Sequence, residues 1–92
     1  MDIFAQLAKQ IIKGQETVIG PLAWEQARKV TGLKVDSQSG EVEISGNKSE
    51  IVEKLVEKYK ELFGQASVEV CKDAAKVLMT KIPQNQLPQI LK

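Results

Sequence analysis

Chemistry needs a side chain that can change charge, hold a metal or attack a carbon, and this sequence offers few. It contains no histidine, which removes the commonest general base and the commonest zinc ligand. Its single cysteine, Cys71, can form neither an intramolecular disulfide nor a thiolate metal site. Cys71 falls on the apolar face of a helical pattern and reads as a small buried thiol, because reactive thiols need exposure and cationic neighbours. Lys72 is adjacent in sequence, but adjacent helical residues point in different directions. The carboxylates Glu41, Glu43, Glu50, Glu53 and Glu57 sit where solvated faces place them, and no two share an apolar setting that would separate their pKa values. No G-x-G-x-x-G or Walker pattern is present to cradle a phosphate. The expectation is a protein without catalytic activity, cofactor or metal.

Binding residues are the better prospect. Trp24, the only tryptophan, lies between the apolar stripe and the wet face of its helix. It reads either as a core residue at a helix seam or as an exposed anchor for a partner. Lys72 and Lys76 are four apart and share a helix face, which raises a helix–turn–helix-like DNA-binding alternative. Against it stand one arginine, Arg28, and acidic residues nearly as numerous as basic ones, 12 against 13. The net charge of +1 is too balanced for whole-molecule attraction to nucleic acid or anionic lipid.

These residues need elements to position them. Ninety-two residues with 42% apolar and 27% charged content make one ordinary globular domain, spanning 1–92. Ile3, Phe4, Leu7, Ala8, Ile11 and Ile12 form one face of a first helix with Asp2 as N-cap. Gly14 interrupts the pattern at a cost of about 1 kcal/mol, yet the helix is expected to continue to Val18-Ile19. Gly20-Pro21 is a corner. A second helix, Pro21 to about Thr31, is expected to bury Leu22, Ala23, Ala27 and Val30, and to present Glu25, Arg28 and Lys29 to water.

The period then changes. Leu33 and Val35 alternate with Lys34 and Asp36, and Val42 and Ile44 with Glu41 and Glu43, across a Ser-Gln-Ser-Gly turn signal. Pairing Leu33 with Ile44, Lys34 with Glu43 and Val35 with Val42 gives one apolar face and one face of opposed charges. This predicts a β-hairpin over 33–46, whose free edges could pair with a second copy or a peptide. A third helix, capped by Asn47 or Ser49, buries Ile51, Val52, Leu55, Val56, Tyr59, Leu62 and Phe63. After Gly64 a fourth helix, about Gln65 to Lys81, buries Ala66, Val70, Cys71, Ala74, Leu78 and Ile82. The segment 83–92 closes over the core through Leu87, Ile90 and Leu91.

The two helical pairs, 1–32 and 47–82, are related. Leu7 to Lys29 matches Ile51 to Asp73, 44 positions on, with Val18-Ile19-Gly20 against Leu62-Phe63-Gly64 and Ala27-Arg28 against Cys71-Lys72. The expected fold is therefore mainly α (α+β): two helical hairpins in pseudo-twofold repeat with one β-hairpin between them. The first helix is expected to pair with the third and the second with the fourth. Gly20, Pro21 and Gly64 are structural corners, from a tight turn or a close helix crossing.

Val18-Ile19-Gly20-Pro21-Leu22-Ala23 resembles a short helical module at the ends of some cyanobacterial and other bacterial signalling proteins, including protein kinases. Leu62-Phe63-Gly64-Gln65-Ala66 with Cys71-Lys72 is similar to a second copy. This chain departs from that pattern in carrying two copies, an intervening hairpin and no attached catalytic domain. The resemblance implies an interaction or regulatory role and carries over no catalytic residue.

The functional expectation is a non-enzymatic protein–protein interaction or regulatory module that self-associates and takes a protein partner. Its candidate binding residues are Trp24, Arg28, Lys34, Val35, Val42 and Ile44. Docking on a membrane surface through the first helix is a further alternative, with Lys9 and Lys13 a thin basic face. No apolar run approaches the roughly 18 residues of a membrane span. No leader peptide is visible, and the lone cysteine fits a reducing compartment, so a cytoplasmic location is the default expectation.

Overall fold

The computed structural model describes residues 2–91. Four helices and one hairpin follow in order: α1 (Ile3–Ile19), α2 (Leu22–Arg28), β1 (Leu33–Asp36), β2 (Glu41–Ile44), α3 (Lys48–Phe63) and α4 (Gln65–Met79). Two short 3-10 turns, Gln84–Gln86 and Gln89–Leu91, finish the described chain. They bring Leu87 and Leu91 into the core as expected, with Pro88 buried beside them and Ile90 only half-buried; Lys92 lies outside the described residues.

Local signals explain most element ends. Asp2 caps α1 by accepting the Phe4 N–H at 2.9 Å. Asn47, not Ser49, caps α3 by accepting the Glu50 N–H at 3.1 Å. The hairpin pairs in the expected register, extended by Asp36 opposite Glu41. Its apolar face turns inward: Leu33 and Val42 are buried, and Val35 and Ile44 pack half-buried against the same core. β2 lies against α1 and β1 against α2. The second helix is shorter than expected, ending at Arg28 rather than Thr31. Lys29 and Val30 bond back three residues, to Gln26 and Ala27, and this tightened turn feeds the chain into β1.

The repeat holds position by position. Leu7/Ile51, Ala8/Val52, Ile11/Leu55, Ile12/Val56, Gln15/Tyr59, Ala23/Ser67, Trp24/Val68 and Ala27/Cys71 are all buried. The expected pairing of helices is corrected. α1 packs chiefly on α4, and α3 also touches α2, so each half's long helix meets the second helix of the other half. Two equivalent hydrogen bonds mark the crossing. Gln15 Nε2 donates to the Ser67 carbonyl at 2.8 Å. Tyr59, its counterpart, donates its hydroxyl to the carbonyl of Ala23 at 2.7 Å. Ala23 and Ser67 are themselves counterparts, so the pair obeys the pseudo-twofold. Both donors are buried, where an unmet polar group would be costly.

Gly14 lies inside α1, which continues to Ile19. A Cβ there would stand 2.7 Å from the Ala74 Cβ. Its counterpart Lys58 faces partly to solvent, so only one half needs the glycine. α4 is also rotated from the expected face: Ser67, Val68, Cys71 and Ala75 are buried, Val70, Ala74 and Leu78 are half-buried, and Ala66 is exposed.

Candidate interaction surface

The two corners are equivalent in detail. Gly20 and Gly64 have φ of 70° and 84°, and their N–H groups bond to the equivalent carbonyls of Glu16 and Lys60 at 2.8 Å. A Cβ at either glycine would meet nothing within 4 Å. Backbone conformation, not a close helix crossing, therefore demands glycine at both corners. Pro21 follows Gly20 as the exposed N-cap of α2.

The corners also share one end of the molecule. At the opposite end Asp2, before α1, forms an ion pair with Lys48, the first residue of α3. α1 and α3 thus start together, and at 17 and 16 residues they are of nearly equal length. Each corner lies within five residues of the Gln15–Ser67 and Tyr59–Ala23 hydrogen bonds. Several apolar residues beside the corners are uncovered. Val18 is 64% exposed and its counterpart Leu62 is 51% exposed. Leu22 and Phe63 are also exposed, and Ile19 is half-buried. This corrects the expectation that Leu22, Leu62 and Phe63 would be core. The helical stripe runs into the last turn of α3, but the chain turns away at Gly64 and leaves Leu62 and Phe63 partly uncovered. Summed, these side chains expose on the order of 300–400 Å² of apolar surface, comparable in area to the largest patch on an ordinary monomer. The repeat relation exchanges the two corners, and with them Val18 and Leu62.

The residues expected to bind a partner are mostly elsewhere. Trp24 is 3% exposed, and its Nε1 donates to Glu16 Oε2 at 2.9 Å. It is therefore core, and the anchor reading is corrected. Val35, Val42 and Ile44 face inward, so the hairpin's apolar face is not a docking surface. Arg28 is exposed and donates to Ser37 Oγ at 3.1 Å, tying α2 to the hairpin turn. Lys34 is exposed opposite Glu43. On α4, Lys72 is half-buried and Lys76 exposed. The apolar face of α1 that suggested membrane docking lies in the core through Phe4, Leu7, Ile11 and Ile12. No helix of the described residues is long and apolar enough to cross a membrane.

Cys71 is buried between the halves and accepts a hydrogen bond from Gln15 Nε2 at 3.2 Å. Burial pushes its thiol up to about 11, against the opposing effect of that bond. Burial, with Cys71 nearby, also raises the Tyr59 hydroxyl above its ordinary 10.0. The sign of the consequence is fixed. Below pH 9.0, the ordinary thiol value, Cys71 is neutral folded or unfolded and stability is undiminished. Above it the unfolded chain binds fewer protons than the folded one, so stability falls as pH rises through about 11. Cys71 alone accounts for a loss of about 2–3 kcal/mol. Urea unfolding at stepped pH should show this slope in the native chain and a shallower one in Cys71→Ala. Equal slopes would remove Cys71 as the cause.

Among the described residues no group of three or more His, Cys, Asp or Glu side chains is arranged to hold a metal ion. Comparison with known protein families, with curated proteins and with solved structures found no match.

Proposed function

We propose that this chain is a non-enzymatic interaction module that self-associates end to end through the apolar surface of its two corners. The observation that carries the reading is the exposure of Val18 and Leu62, equivalent residues at one end of the molecule, with Leu22 and Phe63 beside them. A second copy is the occupant this geometry favours. A twofold dimer uses one patch twice and needs it to be self-complementary. Here each patch already consists of two like corners, so an end-to-end dimer sets corners of one copy against corners of the other. Two such patches bury on the order of 700 Å², below the usual size of a stable specific interface, so the association is weak and concentration-dependent.

Sedimentation equilibrium from tens of micromolar to millimolar protein checks this. The mean mass is expected to climb towards that of a dimer. Val18→Glu and Leu62→Glu should each weaken association by about tenfold or more, with helix content unchanged, since a charge at a desolvated apolar contact has no partner. Val77→Glu, at an exposed apolar residue on α4 away from the corners, should leave the mass profile as it was. A native chain that remains monomeric at millimolar concentration would remove the reading.

A further inference from the structure

We propose that the outer edge of β2 is a strand-addition site for an extended peptide whose apolar residues alternate with basic ones. The site rests on a different face from the corners and does not depend on end-to-end association.

The free edge follows from hydrogen-bond parity. Ser45 N–H donates to the Gly32 carbonyl at 2.8 Å, so those two residues point their backbone groups at each other across the hairpin. Bonded and non-bonded pairs alternate along an antiparallel ladder. With Leu33 opposite Ile44 and Val35 opposite Val42, these four residues direct their N–H and C=O groups outward. On the β1 side, Leu33 N–H is taken by the Val30 carbonyl at 3.2 Å. On the β2 side no helix, loop or side-chain group of the described residues bonds to Val42 or Ile44. An open groove of about 590 Å³ runs along this edge, lined by Glu41 to Ser45 of the strand and by Asp2 and Ala5 at the start of α1.

The two faces of β2 select the occupant. A residue opposite Val42 or Ile44 in an added strand would share their inward face, beside Ala5, and so would be apolar. A residue opposite Glu41 or Glu43 would share the outward face. Neither glutamate makes an ion pair among the described residues. Glu43 has Lys34 across the hairpin, but Glu41 has Asp36, a like charge. Basic residues at those places would supply the missing opposite charges. The same glutamates act against a second copy of β2. In the two registers that pair most of the strand with itself, Glu43 would face Glu43 or Glu41 would face Glu43. Like charges directly opposite are destabilising, so the edge discriminates against its own copy.

The test uses the full-length Leu62→Glu chain, so that neither success nor failure of end-to-end association enters. The probes are capped peptides alternating valine with lysine, valine with glutamate, and valine with lysine N-methylated on alternate residues. Amide signals are followed by nuclear magnetic resonance. The lysine peptide is expected to shift residues 41–45 and slow hydrogen exchange at Val42 and Ile44. The N-methylated and glutamate peptides should each bind about tenfold more weakly, because one lacks the strand's N–H donors and the other reverses the charge. Glu41→Lys/Glu43→Lys should invert the preference between the charged peptides. Equal binding of the N-methylated peptide, or shifts away from β2, would overturn the proposal. Protection of Val42 and Ile44 that grows with protein concentration, without peptide, would also overturn it by assigning the edge to a second copy.

Discussion

Trp24→Ala is expected to lower stability by about 3–5 kcal/mol, the usual cost of deleting a buried aromatic ring. Domains of this kind have about 5–15 kcal/mol to lose, so the variant sits near the edge of folding. The cost comes from lost burial and the cavity left behind, since the ring is almost wholly enclosed. Its hydrogen-bond partner, Glu16, is exposed and regains water when the indole goes. Trp24→Phe keeps most of the ring and should cost about 1–2 kcal/mol. Urea midpoints for the two variants check the order. A Trp24→Ala chain with the native midpoint would show that the indole adds nothing to the stability of the core.

Gly14→Val is expected to cost about 2–3 kcal/mol by overpacking the seam between α1 and α4. The atom an added Cβ would meet, the Ala74 Cβ at 2.7 Å, is rigidly attached to its own helix and cannot swing aside. The helices must separate instead. Gly14→Ala sets two effects against each other: a gain of about 1 kcal/mol in helix propensity and the same steric conflict. A net loss of about 1 kcal/mol should result. Ala74→Gly removes the conflicting atom, so in that background Gly14→Ala should become neutral or stabilising. Denaturant unfolding of the four chains of this cycle measures the coupling. Additive effects would show that the two positions do not touch.

The hairpin and the repeat were legible because their signals are redundant. In the hairpin, apolar alternation and the Lys34–Glu43 opposition select one register independently. In the repeat, equivalent positions confirm each other's burial, and the equivalence extends to the corner hydrogen bonds. Neighbour choice was not legible. A helix stripe states which face is covered, not by what, and crossed and uncrossed pairings bury the same faces. Gly14 illustrates the same limit, since its sequence signal is only a helix penalty and its cause lies in Ala74, 60 residues away by their numbers.

The corner surface was hidden for a related reason. Leu62 and Phe63 continue the stripe of α3, and only the path after Gly64 determines that they emerge from cover. Trp24 had the opposite problem: it lies at the margin of its stripe, and the covering elements decide its burial. The β2 edge is different again. Its outward-pointing groups follow from the register together with the Ser45–Gly32 hydrogen bond, and the groove beside them depends on where α1 lies, which no pattern in the chain encodes.

The crossed hydrogen bonds also bear on the order in which the chain can fold during synthesis. The carbonyl that Gln15 bonds is 52 residues downstream. When residues 1–46 have left the ribosome, Ile11 and Ile12 still lack α4, and the hairpin alone is too small to shelter them. Closing the seam requires a long loop and waits for nearly the entire sequence, which slows a small helical protein relative to one built from local contacts. Until then the nascent N-terminal half displays the apolar surface that the finished molecule hides, and that interval is when it is most exposed to aggregation or to capture by a chaperone.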